Sequence, residues 1–263
     1  MPSNPIHTNR TTRWRVAGQR QLVSWWFMLQ LGAVVLSMAL TPRTYTALFR
    51  AATARQLVIT TWQVLPWFSS LAALLSLVLI RIVVVTALSY GLSQYALQMV
   101  VRVLVLELIP LSAAMFVALR SGLAFNAGAA PVAAVPRLRG LHDLDPQRLR
   151  SELAPRVLAE AFSVLTLAMV NSVVVLVLAY LTVYGLSPWG LPGFTRTVGQ
   201  VFDLSVSLGF MLKVFLFSLA VAVVPMAASL EAPPTSSTMQ PGAVRLFLVL
   251  LMLEVGSLLV KYI

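Results

Sequence analysis

The sequence predicts an all-α integral membrane protein with an N-terminal interfacial helix and five transmembrane helices. Of its 263 residues, 59% are hydrophobic and only 10% are charged. Several apolar runs reach about 18 residues or more, the length at which a helix crosses roughly 30 Å of hydrocarbon. The longest polar stretch, at about residues 131–156, is too short to form a soluble domain.

The five predicted spans account for most of the chain after residue 61. They lie at residues 62–84, 97–122, 157–184, 206–230 and 243–262. We therefore predict two regions, a cytoplasmic tail with a membrane-interfacial helix at 1–61 and a five-helix domain at 62–263. The second region contains a cytoplasmic segment at about 123–156.

A sixth apolar run, residues 22–40, is long enough to span the membrane but has arginines on both sides. The flanking residues are Arg10, Arg13, Arg15 and Arg20 before it and Arg43, Arg50 and Arg55 after it. A spanning helix would place one of these groups outside, against the positive-inside tendency. We interpret the run as an interfacial helix with Trp25 and Trp26 at headgroup depth. A spanning helix, a signal peptide cleaved near residues 37–39 and an organelle transit peptide are the alternatives.

Most basic residues lie on one side of the predicted bundle. The loops on that side contain the N-terminal arginines and a second basic group near residues 137–156. In the opposite loops, at 85–96 and 185–205, Arg196 is the only basic residue. This asymmetry predicts a multi-pass membrane protein with a cytoplasmic N-terminus. The net charge of +11 is then an orientation signal and a set of lipid-headgroup contacts, and we expect no nucleic-acid partner.

Glu107 lies inside the second predicted span, where an ionised carboxylate is costly unless it has a partner. At about 1.5 Å per residue, Arg81 and Arg102 reach a comparable depth, so they are the predicted partners. Arg120 is about 20 Å away along the same helix and is predicted to end it, reaching lipid headgroups. Pro110 lacks an amide hydrogen, so the helix should kink or unwind beside Glu107. A cavity wall and an ordinary proline kink with an interfacial carboxylate are both consistent with this pattern.

Other polar residues in the spans also have two interpretations. Glu160 follows Arg156 by one helical turn, which predicts an ion pair. Asn171 either packs between helices, which we favour, or lines a cavity. Lys213 and Glu254 either pair with each other or face the cavity.

The residues needed for common enzyme chemistries are missing from the sequence. There is no Gly-x-x-x-x-Gly-Lys-Ser/Thr phosphate loop, so the chain should not hydrolyse ATP. His7 and His142 are the only histidines and there is no cysteine, which leaves almost nothing for a zinc site, a triad or thiol catalysis. We therefore predict no catalytic residue, no metal site and no cofactor bound by this chain.

Short motifs between residues 56 and 263 resemble the MlaE-type ABC permeases, the membrane subunits of MCE lipid transporters. The stretch Glu107-Leu108-Ile109-Pro110, followed by Arg120-Ser121-Gly122, resembles the family's Glu-Leu-Gly-Pro and Gly-Arg-x-Gly motifs. Further matches in the family's order are Asp145-Pro146, Pro155-Arg156-Val157-Leu158-Ala159, Pro234-Thr235-Ser236 and Glu254. The chain departs from the family at Ile109, where glycine is usual, at residues 125–128, and at residues 132–137, which replace a glutamate-glutamine coupling stretch.

The resemblance implies a homodimeric permease that moves phospholipid or a related lipid between the inner membrane and periplasmic MCE proteins. The implied partners are a second copy of the chain, an ABC ATPase that uses ATP and Mg, an MCE-domain protein and, as a further candidate, a STAS-type subunit. Implied lipid-cavity residues are Glu107, Pro110, Arg81 and Arg102. Implied ATPase-coupling residues are Arg137, Arg139, Asp145 and Pro146. Implied family-motif residues are Arg120, Gly122, Pro155, Arg156 and Glu254.

Two other function classes need to be distinguished from this one. A stand-alone secondary transporter or channel could use Arg81, Glu107 and Glu254 as a charge relay. Five spans without a visible internal repeat count against it. An intramembrane lipid-modifying enzyme lacks a base or nucleophile set in this sequence.

Overall fold

The computed structural model describes residues 25–38, 41, 47–127, 153–231 and 241–262, and this part of the chain is helical with no β-strand. Five of its helices are long and apolar enough to cross a membrane, and a shorter apolar helix covers Trp25–Met38. The predicted all-α membrane fold is confirmed. That the short helix lies in the membrane interface remains a prediction.

The α-helices are α1 (Trp25–Met38), α2 (Ala47–Leu57), α3 (Leu65–Ser89), α4 (Ser93–Val100), α5 (Ile109–Ala127), α6 (Ala154–Tyr184), α7 (Leu191–Val201), α8 (Leu204–Glu231) and α9 (Pro241–Tyr262). Two π-helical segments interrupt the longer helices. The first, Val58–Trp62, joins α2 to α3, and the second, Val101–Leu108, joins α4 to α5. A short 3-10 turn, Pro188–Gly190, precedes α7.

The first spanning helix is longer than the sequence predicted. Residues 62–84 were expected, whereas one helix runs over Phe49–Ser89 for 41 residues. At about 1.5 Å per residue this is about twice the thickness of the hydrocarbon, so part of the helix must extend beyond it. Hydropathy shows where the apolar sequence begins, which is not always where the helix begins. Arg50 and Arg55 lower the hydropathy of the segment but do not interrupt a helix, so the helix continues outside the hydrocarbon.

The core of the bundle lies along α6, α8 and the second span. Within an apolar stretch of 18 residues in each span, 56% of the residues are buried in the second span, compared with 22% in the first and 17% in the fifth. α6 packs against α2, α3, α5 and α8, and α8 also packs against α5 and α9. The outward faces of α3 and α9 expose leucine, valine and phenylalanine side chains, as expected for surfaces that contact lipid or another apolar surface.

The segment between α6 and α8 contains structure that the sequence interpretation treated as a loop. Gly185, at φ 68°, ends α6, and this left-handed conformation is one that glycine adopts without strain. α7 follows and packs through Phe194 against Tyr180, with ring centroids 5.2 Å apart. The apolar residues of α7 recur at helical spacing. The helix was not predicted because it is short and because glycine, proline and Arg196 occur within it.

Candidate functional site

A cavity of about 440 Å³ opens between the second π-helical segment, α8 and α9. Most of its lining is apolar, but three charged side chains, Glu107, Lys213 and Lys261, also face it. The remaining lining residues are Leu106, Ser205, Val206, Gly209, Phe210, Leu212, Leu216, Met252, Leu253, Gly256, Ser257 and Val260. Several of these are exposed, so the cavity opens onto the surface of the bundle.

Four charged residues form a connected group beside this cavity, which we call the Glu107 cluster: Glu107, Lys213, Glu254 and Lys261. Lys261 Nζ donates to Glu107 Oε1 at 2.8 Å, and Lys213 Nζ donates to Glu107 Oε2. Lys213 Nζ also lies 2.8 Å from Glu254 Oε2. Two carboxylates and two ammonium groups make the cluster formally neutral, which lowers the cost of holding charge inside an apolar bundle.

Lys213 is the central member of the cluster and its most buried one. Its side chain is 3% exposed, compared with 13–19% for the other three members. It bridges the two carboxylates, because Glu107 and Glu254 lie on different helices and both reach its ammonium group. This bridge ties the second span to α8 and α9.

The predicted partners of Glu107 were wrong. Arg81 and Arg102 are exposed, and the Glu107 carboxylate is bound instead by Lys213 and Lys261. Depth along a helix can be counted from sequence, but rotation about the helix axis and the choice of neighbouring helix are decided by packing. Neither arginine lines the cavity, nor does Pro110.

Pro110 acts on the site through the backbone. It lies just after the π-helical segment Val101–Leu108, whose wider turn accommodates a proline. The predicted irregularity beside Glu107 is confirmed in this form. The Leu106 carbonyl, which would accept the missing Pro110 amide hydrogen in a regular helix, receives a long contact from Lys213 Nζ at 3.4 Å.

A second polar group lies near the end of the second span, where the first π-helical segment meets α5 and α6. We call it the Arg120 cluster: Arg120, Ser163 and the backbone carbonyls of Ile59 and Thr60. Arg120 Nη2 donates to Ile59 O at 2.9 Å, and Ser163 Oγ donates to Thr60 O at 3.2 Å. The Arg120 guanidinium therefore binds protein backbone, where the sequence predicted contact with lipid headgroups.

The irregular backbone explains why these carbonyls accept side-chain donors. The Gln63 amide bonds to Val58 O at 3.3 Å and the Val64 amide bonds to Thr61 O at 3.2 Å. Neither amide donates a hydrogen bond to the carbonyl of Ile59 or Thr60. The two side-chain donors compensate for this mismatch.

Two other predictions about polar residues in α6 are tested directly. The Arg156–Glu160 ion pair is confirmed, with Arg156 Nε 3.3 Å from Glu160 Oε1. Asn171 is fully buried and donates to the Leu167 carbonyl of its own helix at 2.7 Å, so it packs in the core and does not line the cavity described above. Pro155 lies in the first turn of α6, where its missing amide hydrogen costs nothing.

Some predicted site residues lie elsewhere. Arg137, Arg139, Asp145 and Pro146 fall outside the described residues. Gly122 lies in α5 and Glu254 in the Glu107 cluster.

Lys261 was missed altogether, although one signal was available in the sequence. It is one of only two lysines, and it lies in the last turn of an apolar predicted span.

Comparison with known proteins agrees with the motifs described above. A search of curated proteins finds no match to the chain. A family model described as Permease MlaE matches residues 53–254, which is well over half of the sequence. Of the five spanning helices, only the first four residues of the first and the last seven residues of the fifth lie outside the match. The chain therefore belongs to the MlaE permease family, whose members are membrane subunits of ABC-type lipid transporters.

Proposed function

We propose that this chain carries phospholipid or a related lipid between the bacterial inner membrane and periplasmic MCE proteins. The observation that supports this proposal is the open cavity that combines apolar walls with the Glu107 cluster. Such a lining suits an amphiphile, because hydrocarbon contacts the apolar wall while a polar headgroup meets the charges. The cavity volume of about 440 Å³ is in the range of small-ligand sites, which is enough for a headgroup and the adjoining part of its tails.

The proposed orientation places the Lys261 end of the bundle toward the periplasm and the Arg120 end toward the cytoplasm. The arginine-rich N-terminus and the 123–156 segment would then be cytoplasmic, in accordance with the charge asymmetry of the loops. Lys213 lies about 14 Å along α8 from Leu204, so the cavity would face the outer half of the bilayer. Lipid could leave it toward an MCE protein without crossing the packed Arg120 end.

The proposed assembly contains two copies of this chain, a separate ABC ATPase, an MCE-domain protein and a STAS-type accessory subunit. The chain has no phosphate loop, so ATP and Mg would act in the ATPase. In this proposal, closure of the ATPase moves the segment around residues 131–150, including Arg137, Arg139, Asp145 and Pro146. Co-purification from native membranes in mild detergent tests the assembly, and recovery of the chain without an ATPase even after crosslinking would contradict it.

Filling the cavity is the direct test of lipid binding. Gly209 and Gly256 line it, and a Cβ added at either position meets nothing within 4 Å. We expect Gly256→Leu to fold normally and to weaken binding of dioleoylphosphatidylglycerol about ten-fold, measured by native mass spectrometry of the purified chain. Gly199→Leu is the matched control, because Gly199 is equally open but lies on α7 outside this cavity. Equal binding in both variants would contradict the site.

One observation favours a second candidate function. An intramembrane network of two carboxylates and two lysines is also what a stand-alone secondary transporter would use as a charge relay. Transport by reconstituted vesicles decides between the two. Dependence on the ATPase and ATP supports the permease, whereas dependence on a proton gradient alone supports the secondary transporter.

A further inference from the structure

Glu107 lies between two lysines, in a position that an anionic headgroup could also take. Its two carboxylate oxygens accept from different ammonium groups, Oε1 from Lys261 at 2.8 Å and Oε2 from Lys213. All three side chains line the cavity. A phosphodiester also presents two charged oxygens that can accept from two ammonium groups at once.

We propose that Lys213 and Lys261 form a binding site for the phosphodiester of a lipid headgroup, and that Glu107 competes with the phosphate for this site. The inference rests on the proposed lipid-carrier function and deepens it. Glu107 then has a defined role in the carrier cycle. It binds both lysines while the cavity is empty and, together with Glu254, balances their charge, and it is displaced when a headgroup binds.

The two carboxylates of the cluster differ in a way that supports this exchange. Glu254 contacts Lys213 and is not among the residues that line the cavity, whereas Glu107 faces the cavity. Lys213 therefore keeps one counter-charge when Glu107 moves aside. The Glu107 and Lys261 side chains are 14% and 19% exposed, so the pair that must separate is accessible from the cavity.

Competition has a consequence that simple headgroup positioning would not have. If Glu107 positioned the headgroup, its removal would weaken binding. If Glu107 competes, its removal takes away the competitor of the phosphate for the two ammonium groups and strengthens binding, while release becomes slower. Neutral lipids with the same tails would be unaffected in the second case.

The experiment measures binding of two lipids to the purified full-length chain by native mass spectrometry. The probes are dioleoylphosphatidylglycerol, which carries a phosphodiester, and dioleoylglycerol, which has the same tails without phosphate. We expect Glu107→Gln to bind the phosphatidylglycerol about ten-fold more tightly, because a neutral amide competes less well than a carboxylate for the two ammonium groups. Binding of dioleoylglycerol should not change. Glu160→Gln is the matched control, because Glu160 is a buried, arginine-paired glutamate that does not line the cavity.

A second variant keeps the inference testable if Glu107→Gln does not fold. Lys261→Gln removes one of the two ammonium groups, and it should weaken binding of phosphatidylglycerol about ten-fold while leaving dioleoylglycerol unchanged. Combined with Glu107→Gln, it should abolish the gain. Unchanged binding of phosphatidylglycerol to Lys261→Gln would overturn the lysine site.

The remaining outcomes separate this inference from the proposed function. Equal or weaker binding of phosphatidylglycerol to Glu107→Gln would overturn the competition and leave lipid carriage intact. Failure of the unmodified chain to bind either lipid would overturn the proposed function and this inference together. Displacement of phosphatidylglycerol by inorganic phosphate at equal concentration would show a general oxyanion site and overturn the lipid assignment.

Discussion

The Glu107 cluster and the Arg120 cluster lie in different halves of the same bundle and use charge differently. Each lies beside a π-helical segment, and each joins the helix that carries that segment to neighbouring helices. The Glu107 cluster joins side chain to side chain along the wall of a cavity. The Arg120 cluster joins side chains to backbone carbonyls, and none of its members lines that cavity.

The Glu107 cluster can therefore exchange one anionic partner for another, whereas the contacts of the Arg120 cluster can only form or be lost. A carboxylate held by ammonium groups can be replaced by another anion at little cost, because the new partner restores the same kind of contact. A backbone carbonyl has no such substitute in an apolar bundle. We therefore expect variants of the Glu107 cluster to change both lipid binding and stability, and variants of the Arg120 cluster to change stability alone.

The largest expected effect comes from Lys213→Met. This change removes the bridge between two carboxylates, leaving Glu254 without the ammonium group that it contacts and Glu107 with Lys261 alone. Breaking a buried ion pair by removing one partner costs about 3–5 kcal/mol, and we expect a loss of this size in the free energy of unfolding. Denaturant unfolding of the purified protein in detergent measures it.

Lys261→Met is the control for this prediction. Lys261 is more exposed than Lys213, and Glu107 keeps Lys213 when it is lost. Its effect on stability should be less than half as large. Equal losses in the two variants would show that Lys213 has no special bridging role.

The contrast between the two clusters also shows which parts of the molecule a sequence can predict. The five spans were found because hydrophobic length is a one-dimensional property, and Glu107 was found because a charge in an apolar run is conspicuous. The lysine partners were not found because they depend on helix rotation and on the packing of α8 and α9 against the second span. Arg120 was predicted to contact lipid headgroups because the sequence does not indicate that Ile59 and Thr60 lie in a π-helical turn.

Arg120→Ala tests the stability-only character of the Arg120 cluster. The change leaves the Ile59 carbonyl without its guanidinium donor. We expect a loss of about 1.5 kcal/mol in the free energy of unfolding, the lower end for a charged hydrogen bond, because the guanidinium is partly exposed. Binding of dioleoylphosphatidylglycerol should be unchanged. Arg196→Ala, on the exposed face of α7, is the control and should change neither quantity.

Ser163→Ala is the smallest change and the most specific test of the π-helical turn. Ser163 is fully buried, and its hydroxyl donates to Thr60 O at 3.2 Å from a different helix. Its loss should cost about 1 kcal/mol, the net value of one neutral hydrogen bond. Ser89→Ala removes an exposed hydroxyl that bonds only within α3, and it should change stability by no more than a few tenths of that amount. Equal effects of the two substitutions would mean that the Thr60 carbonyl finds a partner within its own helix, and the Arg120 cluster would then reduce to Arg120 alone.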